Sequence, residues 1–240
     1  MNKPIRTALV GYGSVAEKMH APLIAVCSDL DLVAVVERNG NRCEQKFPSV
    51  KTFRSVGELL EADAADLICI TTPNEFHFSM AKQCLLAGKH VVVDKPVTIY
   101  SWEAEELERI SREKGLVCSV FQNRRYDGDF LTLQKLVAEK TLGELVYLES
   151  HFDRFRPNVS ENWREKDVPG NGITYDLGAH LIDQPDKEGD IHVSVRSSPS
   201  LPPSGQAGRG RSPARSSPDR LAPAGAAGSG VRGPLQCSRH

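Results

Sequence analysis

Two short stretches of this sequence carry residue types and spacings suited to chemistry. Gly11-Tyr12-Gly13-Ser14-Val15-Ala16 fits the pattern G-x-G-x-x-G/A. In that pattern the first glycine permits a tight turn, the second lets backbone approach a pyrophosphate, and the small last residue allows close helix–strand packing. A helix starting there offers free N–H groups and a partial positive charge to phosphates; a plain strand–helix turn has the same composition. Asp176 and His180 stand four residues apart, which on a helix puts both on one face. A carboxylate beside an imidazole fixes its orientation and favours its protonated form. Such a pair suits acid–base work, with His180 as base when an alcohol is oxidised and as acid in reverse; a structural ion pair has the same spacing. Glu37 follows the glycine turn by 21 residues. A carboxylate there accepts from the adenosine ribose hydroxyls, which suits NAD, while the adjacent Arg38 stacks on adenine or meets a 2′-phosphate, which suits NADP. NAD is the expected cofactor and NADP the alternative.

These residues need elements to hold them. Apolar runs at 7–10, 31–37, 65–71, 90–93 and 116–121 read as five buried strands. Between them, 15–26, 56–62, 76–87 and 101–114 read as helices, with Gly88 and Gly115 placed to close the last two. Strands apolar throughout and separated by helices predict a parallel sheet covered on both faces. The expected fold is a doubly wound α/β Rossmann domain that binds ligands at the carboxyl ends of its strands. Beyond Asn123 the pattern changes. Residues 130–139 read as a connecting helix, the alternating 143–154 as a half-exposed strand, 170–172 as a turn and 173–183 as a helix. The expected organisation is a dinucleotide-binding domain over 1–123, the start of an α+β substrate domain over 124–184, and a disordered tail over 185–240.

The tail stands apart in composition. From Pro185 to His240 there is no Phe, Trp, Tyr or Met, and eight basic residues face four acidic ones. The overall charge of −1 therefore combines an acidic folded part with a basic tail too poor in apolar surface to offset its chain entropy. Near-neutral charge gives no electrostatic case for nucleic acid or an anionic membrane, and no apolar run approaches the ~18–20 residues of a membrane span. Met1-Asn2-Lys3-Pro4 leads almost directly into an apolar strand without a secretory pattern, so a cytoplasmic protein is expected. Six cysteines (Cys27, Cys43, Cys69, Cys84, Cys118, Cys237) form no C-x-x-C pair and no zinc spacing. They read as reduced, mostly buried thiols, and no metal site is expected.

Three further segments accompany the glycine turn: Thr71-Thr72-Pro73-Asn74 with His77, Asp94-Lys95-Pro96, and Gly172 with Asp176-Leu177-Gly178-Ala179-His180. In this order the four resemble the Gfo/Idh/MocA oxidoreductase family over about residues 5 to 184. Phe121-Gln122-Asn123-Arg124-Arg125 and the run from Ser150 to Pro157 resemble a bacterial-type branch. The family's lysine motif usually begins with Glu; the shorter Asp94 leaves Lys95 in register. The resemblance implies that the Lys95 ammonium approaches the substrate hydroxyl and the nicotinamide, and that the Lys95–Pro96 bond can be cis. It further implies cofactor contacts from Gly11 through Ala16, Thr71, Thr72, Pro73, Asn74, His77 and Asp94, although His77 also reads as packing against its loop. Arg124, Arg125 and Tyr126 lie past the fifth strand, where a polar substrate would sit.

The resemblance stops near Gln184, where family members continue into a large sheet that walls the substrate pocket and usually supplies the oligomer interface. A frame-shifted or truncated member is expected, with Pro185 cutting the last helix short; a regulatory tail is the alternative. The expected function is NAD(P)-dependent hydride transfer to or from a sugar- or polyol-like hydroxyl/carbonyl substrate. Lys95, Asp176 and His180 are its catalytic set, with a small molecule as the partner. The alternative is a nucleotide-binding fragment without turnover.

Overall fold

The computed structural model describes residues 3–144, 147–152 and 166–186. Six strands form one sheet: β1 (Ile5–Val10), β2 (Leu30–Val36), β3 (Lys51–Phe53), β4 (Leu67–Ile70), β5 (His90–Asp94) and β6 (Cys118–Phe121). Their order is β3-β2-β1-β4-β5-β6, and every neighbouring pair is parallel. The order reverses direction at β1/β4, and the crevice outside that switch point is where such sheets bind ligands. The sequence reading missed β3, whose three residues are too few to show a pattern, and the five-residue helix α2 (Arg42–Lys46) leading to it.

Period-two alternation sends side chains to opposite faces of the sheet. Ala8, Val10, Ile68, Ile70, Val91 and Val93 enter one buried cluster; Leu9, Val35 and Cys69 enter the other. The first cluster is closed by α3 (Val56–Glu61), α4 (His77–Leu86) and α5 (Ser101–Lys114) through Leu59, Leu85, Leu107 and Ile110. The second is closed by Ala21 and Ile24 of α1 (Ala21–Val26) and Cys43 of α2. A side chain such as Ile68 or Leu85, fully removed from water, contributes roughly 1.5–3 kcal/mol. Gly88 and Gly115 follow α4 and α5 in the left-handed conformation expected of them. Burial pushes the thiol of Cys43 up to about 11 and those of Cys69 and Cys84 to about 12, so these cysteines behave as small apolar groups.

The helix after the glycine turn begins with a π turn, Ala16–His20, before α1. Pro22 has no N–H to give back to residue 18, and the Ala21 N–H bonds Ala16 O instead. A second π turn, Thr174–Gly178, precedes α7 (Ala179–Asp186). That helix runs through position 185 and ends at Asp186, later than a proline stop implies. Helix α6 (Gly128–Ala138) starts two residues before its expected position. The expected strand over 143–154 is not found in its described part: residues 147–152 have no regular structure. Alternation alone does not make a strand, whose backbone groups need a neighbour to bond, and no described strand runs beside this segment.

Candidate active site at the carboxyl edge of the sheet

A cleft lies at the carboxyl ends of β1, β4, β5 and β6. It is lined by Val15, Met19, Asn74, Asp94, Lys95, Pro96, Phe121, Asn123, Arg124, Gly170, Asn171, Gly172, Asp176 and His180. Residues from four of the sequence motifs therefore meet across the fold.

On one side stands the glycine turn. Gly11 has φ of +91°, and a Cβ there would come within 3.3 Å of Thr72 Cγ2, so only glycine suits the position. A Cβ on Gly13 would meet no protein atom within 4 Å. The space over Gly13 is open, and the first N–H groups of the following helix have no intrahelical acceptor. An open backbone cradle with free donors fits the pyrophosphate of a dinucleotide. Tyr12 contributes only backbone here, because its side chain turns into the core and burial raises its phenol to about 12.

The loop after β4 braces this turn. Thr71 Oγ1 donates to Val10 O at 3.1 Å and Gly11 O at 3.0 Å. Asn74 is 9% exposed and gives its Nδ2 to Gly170 O at 2.6 Å, tying the cofactor-side loop to the segment carrying Asp176. At Gly170 a Cβ would lie 2.6 Å from Ile99 Cγ1, so the loop docks closely only because no side chain is there. His77, expected at the cofactor, is 1% exposed, with Nε2 2.8 Å from Thr72 O and Nδ1 2.8 Å from Pro96 O. Each ring nitrogen faces a loop carbonyl, and the one that carries the proton donates to it, so His77 braces these loops.

Lys95 extends from the end of β5, its peptide to Pro96 cis, and Asp94 Oδ1 accepts from Lys95 N at 2.9 Å. The ammonium of Lys95 donates to Asp176 Oδ1 at 2.9 Å and also to Asp176 O. Asp176 acts on His180 as a nearby charge that favours the protonated ring. The Asp176 carboxylate meets Lys95, while Nδ1 of His180 is buried without a hydrogen-bond partner. His180 is 5% exposed. Burial, then the nearby charges of Lys95 and Arg124, push it down to about 4 against the weaker opposing pull of Asp176 and Asp127. The site thus favours the neutral ring, the form a base needs, against the pull of the carboxylate four residues away.

Three other expectations change. Glu37 is buried and its Oε1 accepts from Cys43 N at 2.8 Å. The carboxylate is thereby tied to the start of α2, with one oxygen holding that backbone N–H. Arg125 forms a two-pronged contact with Asp183 of α7, at 2.8 and 2.5 Å, and Tyr126 is 78% exposed outside the cleft; of that trio only Arg124 lines the cleft. Arg38, Ser14, Ala16, Thr72 and Pro73 do not line it either. The sequence reading missed Met19, Phe121 and Asn123 as lining residues. It also missed His20, buried with its ring 4.1 Å from that of Phe121 and Nε2 unpartnered. A 3.6-residue period that places Met19 and His20 near a strand end is indistinguishable in sequence from ordinary core packing.

Comparison with known proteins agrees with this architecture. The model of the Gfo/Idh/MocA oxidoreductase family, NAD-binding Rossmann fold, matches residues 5–122, and the Gfo/Idh/MocA C-terminal domain model matches residues 130–186. The chain is 48% identical over 184 residues to the uncharacterized oxidoreductase YdgJ of Escherichia coli, covering 77% of this chain and 53% of that protein. It is 36% identical to the scyllo-inositol 2-dehydrogenase (NADP(+)) IolW of Bacillus subtilis, covering 75% and 50%. Among solved structures, an NAD-binding protein from Listeria innocua superposes with a TM-score of 0.71 at 31% identity, covering 76% and 54%. The chain spans about half the length of the curated relatives it matches.

Proposed function

Because the chain belongs to the Gfo/Idh/MocA oxidoreductase family, we propose that it is an NAD(P)-dependent oxidoreductase acting on a hydroxyl or carbonyl carbon of a polyol- or sugar-like substrate. The observation that carries the proposal is the convergence of Lys95, Asp176 and a neutral His180 in one cleft beside the dinucleotide turn. The polyol class draws on the inositol dehydrogenase among the relatives.

In this reading the backbone of Gly11–Val15 holds the pyrophosphate, and Asn74 and Asp94 line the way toward the reacting end. A nicotinamide held there would supply the acceptor or donor of the hydride. The remaining work falls to the protein. The imidazole of His180, which lines the cleft beside Lys95 and Asp176, takes the proton from a substrate hydroxyl. The Lys95 ammonium gives a hydrogen bond to the substrate oxygen as negative charge grows there. Asp176 holds the ammonium in place by its ion pair, limiting the orientations that Lys95 samples. Arg124 on the cleft wall supplies a donor for a polyhydroxylated substrate.

Dinucleotide titration followed by a panel of polyols and aldoses, read at the nicotinamide absorbance, tests this. Turnover lost in both Lys95→Met and His180→Asn, with dinucleotide affinity kept, supports the assignment. Tight dinucleotide binding without turnover of any panel member in the unmodified chain reduces the function to nucleotide binding.

A further inference from the structure

We infer that Asp127 is a positioning residue of this cleft: it pins the Arg124 guanidinium at the cleft wall, as Asp176 pins the Lys95 ammonium, so that His180 stands among two ion pairs. The inference rests on the oxidoreductase reading above and adds to it a residue that does not itself line the cleft.

Asp127 has an ordinary local role open to it and does not take it. It is the N-cap residue of α6, where an aspartate side chain normally accepts from the N–H two or three residues on. Its side chain makes no such bond, and the Phe130 N–H is taken by Asp129 Oδ1 at 2.7 Å. The Asp127 carboxylate turns back instead, and its Oδ2 accepts from Arg124 Nη1 at 2.7 Å. Both side chains are only about one-third exposed, so this pair is screened less than one at the open surface.

Arg124 is held from other directions as well. Its guanidinium lies 5.0 Å from the centre of the Phe152 ring, and its carbonyl accepts from Gln184 Nε2 of α7 at 3.0 Å. The neighbouring contact of Arg125 with Asp183 fastens the same short turn, Asn123–Tyr126, to the same helix. That helix carries His180. Four charged groups act on its ring: Lys95 from the end of β5, Asp176 from the turn before α7, Arg124 from the turn after β6 and Asp127 from the start of α6. Each of the two cations is bonded to one of the two acids. Without Asp127, Arg124 loses its one ionic partner among the described residues and regains the rotamer freedom of a long side chain. Its donors serve a polyhydroxylated substrate only while their directions stay fixed. Its charge would also go unanswered beside His180.

The test compares the full chain with Asp127→Asn, which keeps a good N-cap residue without the charge, with Arg124→Met, and with the double variant. NMR relaxation of the Arg124 side-chain nitrogens reports the pinning, and the imidazole resonances of His180 report its protonated fraction at about pH 4.5. Asp127→Asn should leave the urea midpoint unchanged, loosen Arg124 to the mobility of a solvent-exposed arginine and lower the protonated fraction of His180. Arg124→Met should raise that fraction. With a polyol that is turned over, Asp127→Asn should raise KM about tenfold with little change in kcat, and should have no such effect once Arg124 is replaced by Met. An Arg124 equally ordered in Asp127→Asn, a His180 fraction that stays or rises there, or an equal KM loss with and without Arg124 overturns the inference. The two NMR signals need neither cofactor nor substrate. They decide this inference even where no polyol is oxidised, an outcome that removes the oxidoreductase reading alone.

Discussion

Acidifying the protein from pH 7 to pH 4.5 should destabilise it specifically through His180. The unfolded ring titrates near its ordinary value of 6.5, whereas the folded ring is held down at about 4. Between those values the unfolded chain binds a proton that the folded chain refuses. Stability is therefore fully present above the unfolded value and is lost as pH falls through the window between the two. A depression of that size corresponds to about 3 kcal/mol at its limit. The ring stands in the wall of a polar cleft beside Lys95 and Arg124, so solvent and mobile charge reduce the expected loss to about 1–2 kcal/mol. Urea unfolding across this range, for the unmodified chain and for His180→Asn, isolates the effect. Carboxylates held low by their own partners, such as Asp63 beside Lys89 and Asp66 beside Arg6, also lose stability on acidification, but equally in both proteins. The difference between the two curves should open below pH 6.5 and flatten near pH 4. Parallel curves, or a gap opening in the opposite direction, would refute the argument that burial and neighbouring cations keep this ring neutral.

Other substitutions test the cleft's supports. Gly11→Ala forces a left-handed backbone on alanine and sets its Cβ 3.3 Å from Thr72 Cγ2; a loss of roughly 1–2 kcal/mol, seen in urea melts, should accompany weaker dinucleotide binding. His77→Phe keeps the ring volume but removes both contacts to Thr72 O and Pro96 O. It should cost about 1–3 kcal/mol and raise hydrogen exchange in both loops, and unchanged exchange there would deny His77 its bracing role. Arg125→Ala breaks the paired contact with Asp183, so exchange should rise across α7 while β1 and β4 keep their protection.

Some of this was legible in the sequence for a plain physical reason. Buried parallel strands must be apolar on both faces, so Leu9, Val35, Ile68 and Val91 announce themselves without any knowledge of their partners. The glycine turn is equally local: one residue with φ of +91° and another with open space above it are requirements of the backbone itself. Lys95 and His180 could be marked through their motifs. Their states could not, because a proton's affinity depends on everything within a few ångströms. Spacing joined Asp176 to His180, but the fold turned that carboxylate to Lys95, 81 residues away, and left the imidazole among cations. Likewise the neighbours Glu37 and Arg38 are equal candidates in the sequence. Only the packing of α2 against the end of β2 buries the acid and leaves the base at the surface. Local sequence decides which backbone shapes and buried surfaces are attainable; long-range contacts decide which of several charged groups is spent on structure and which remains for a ligand.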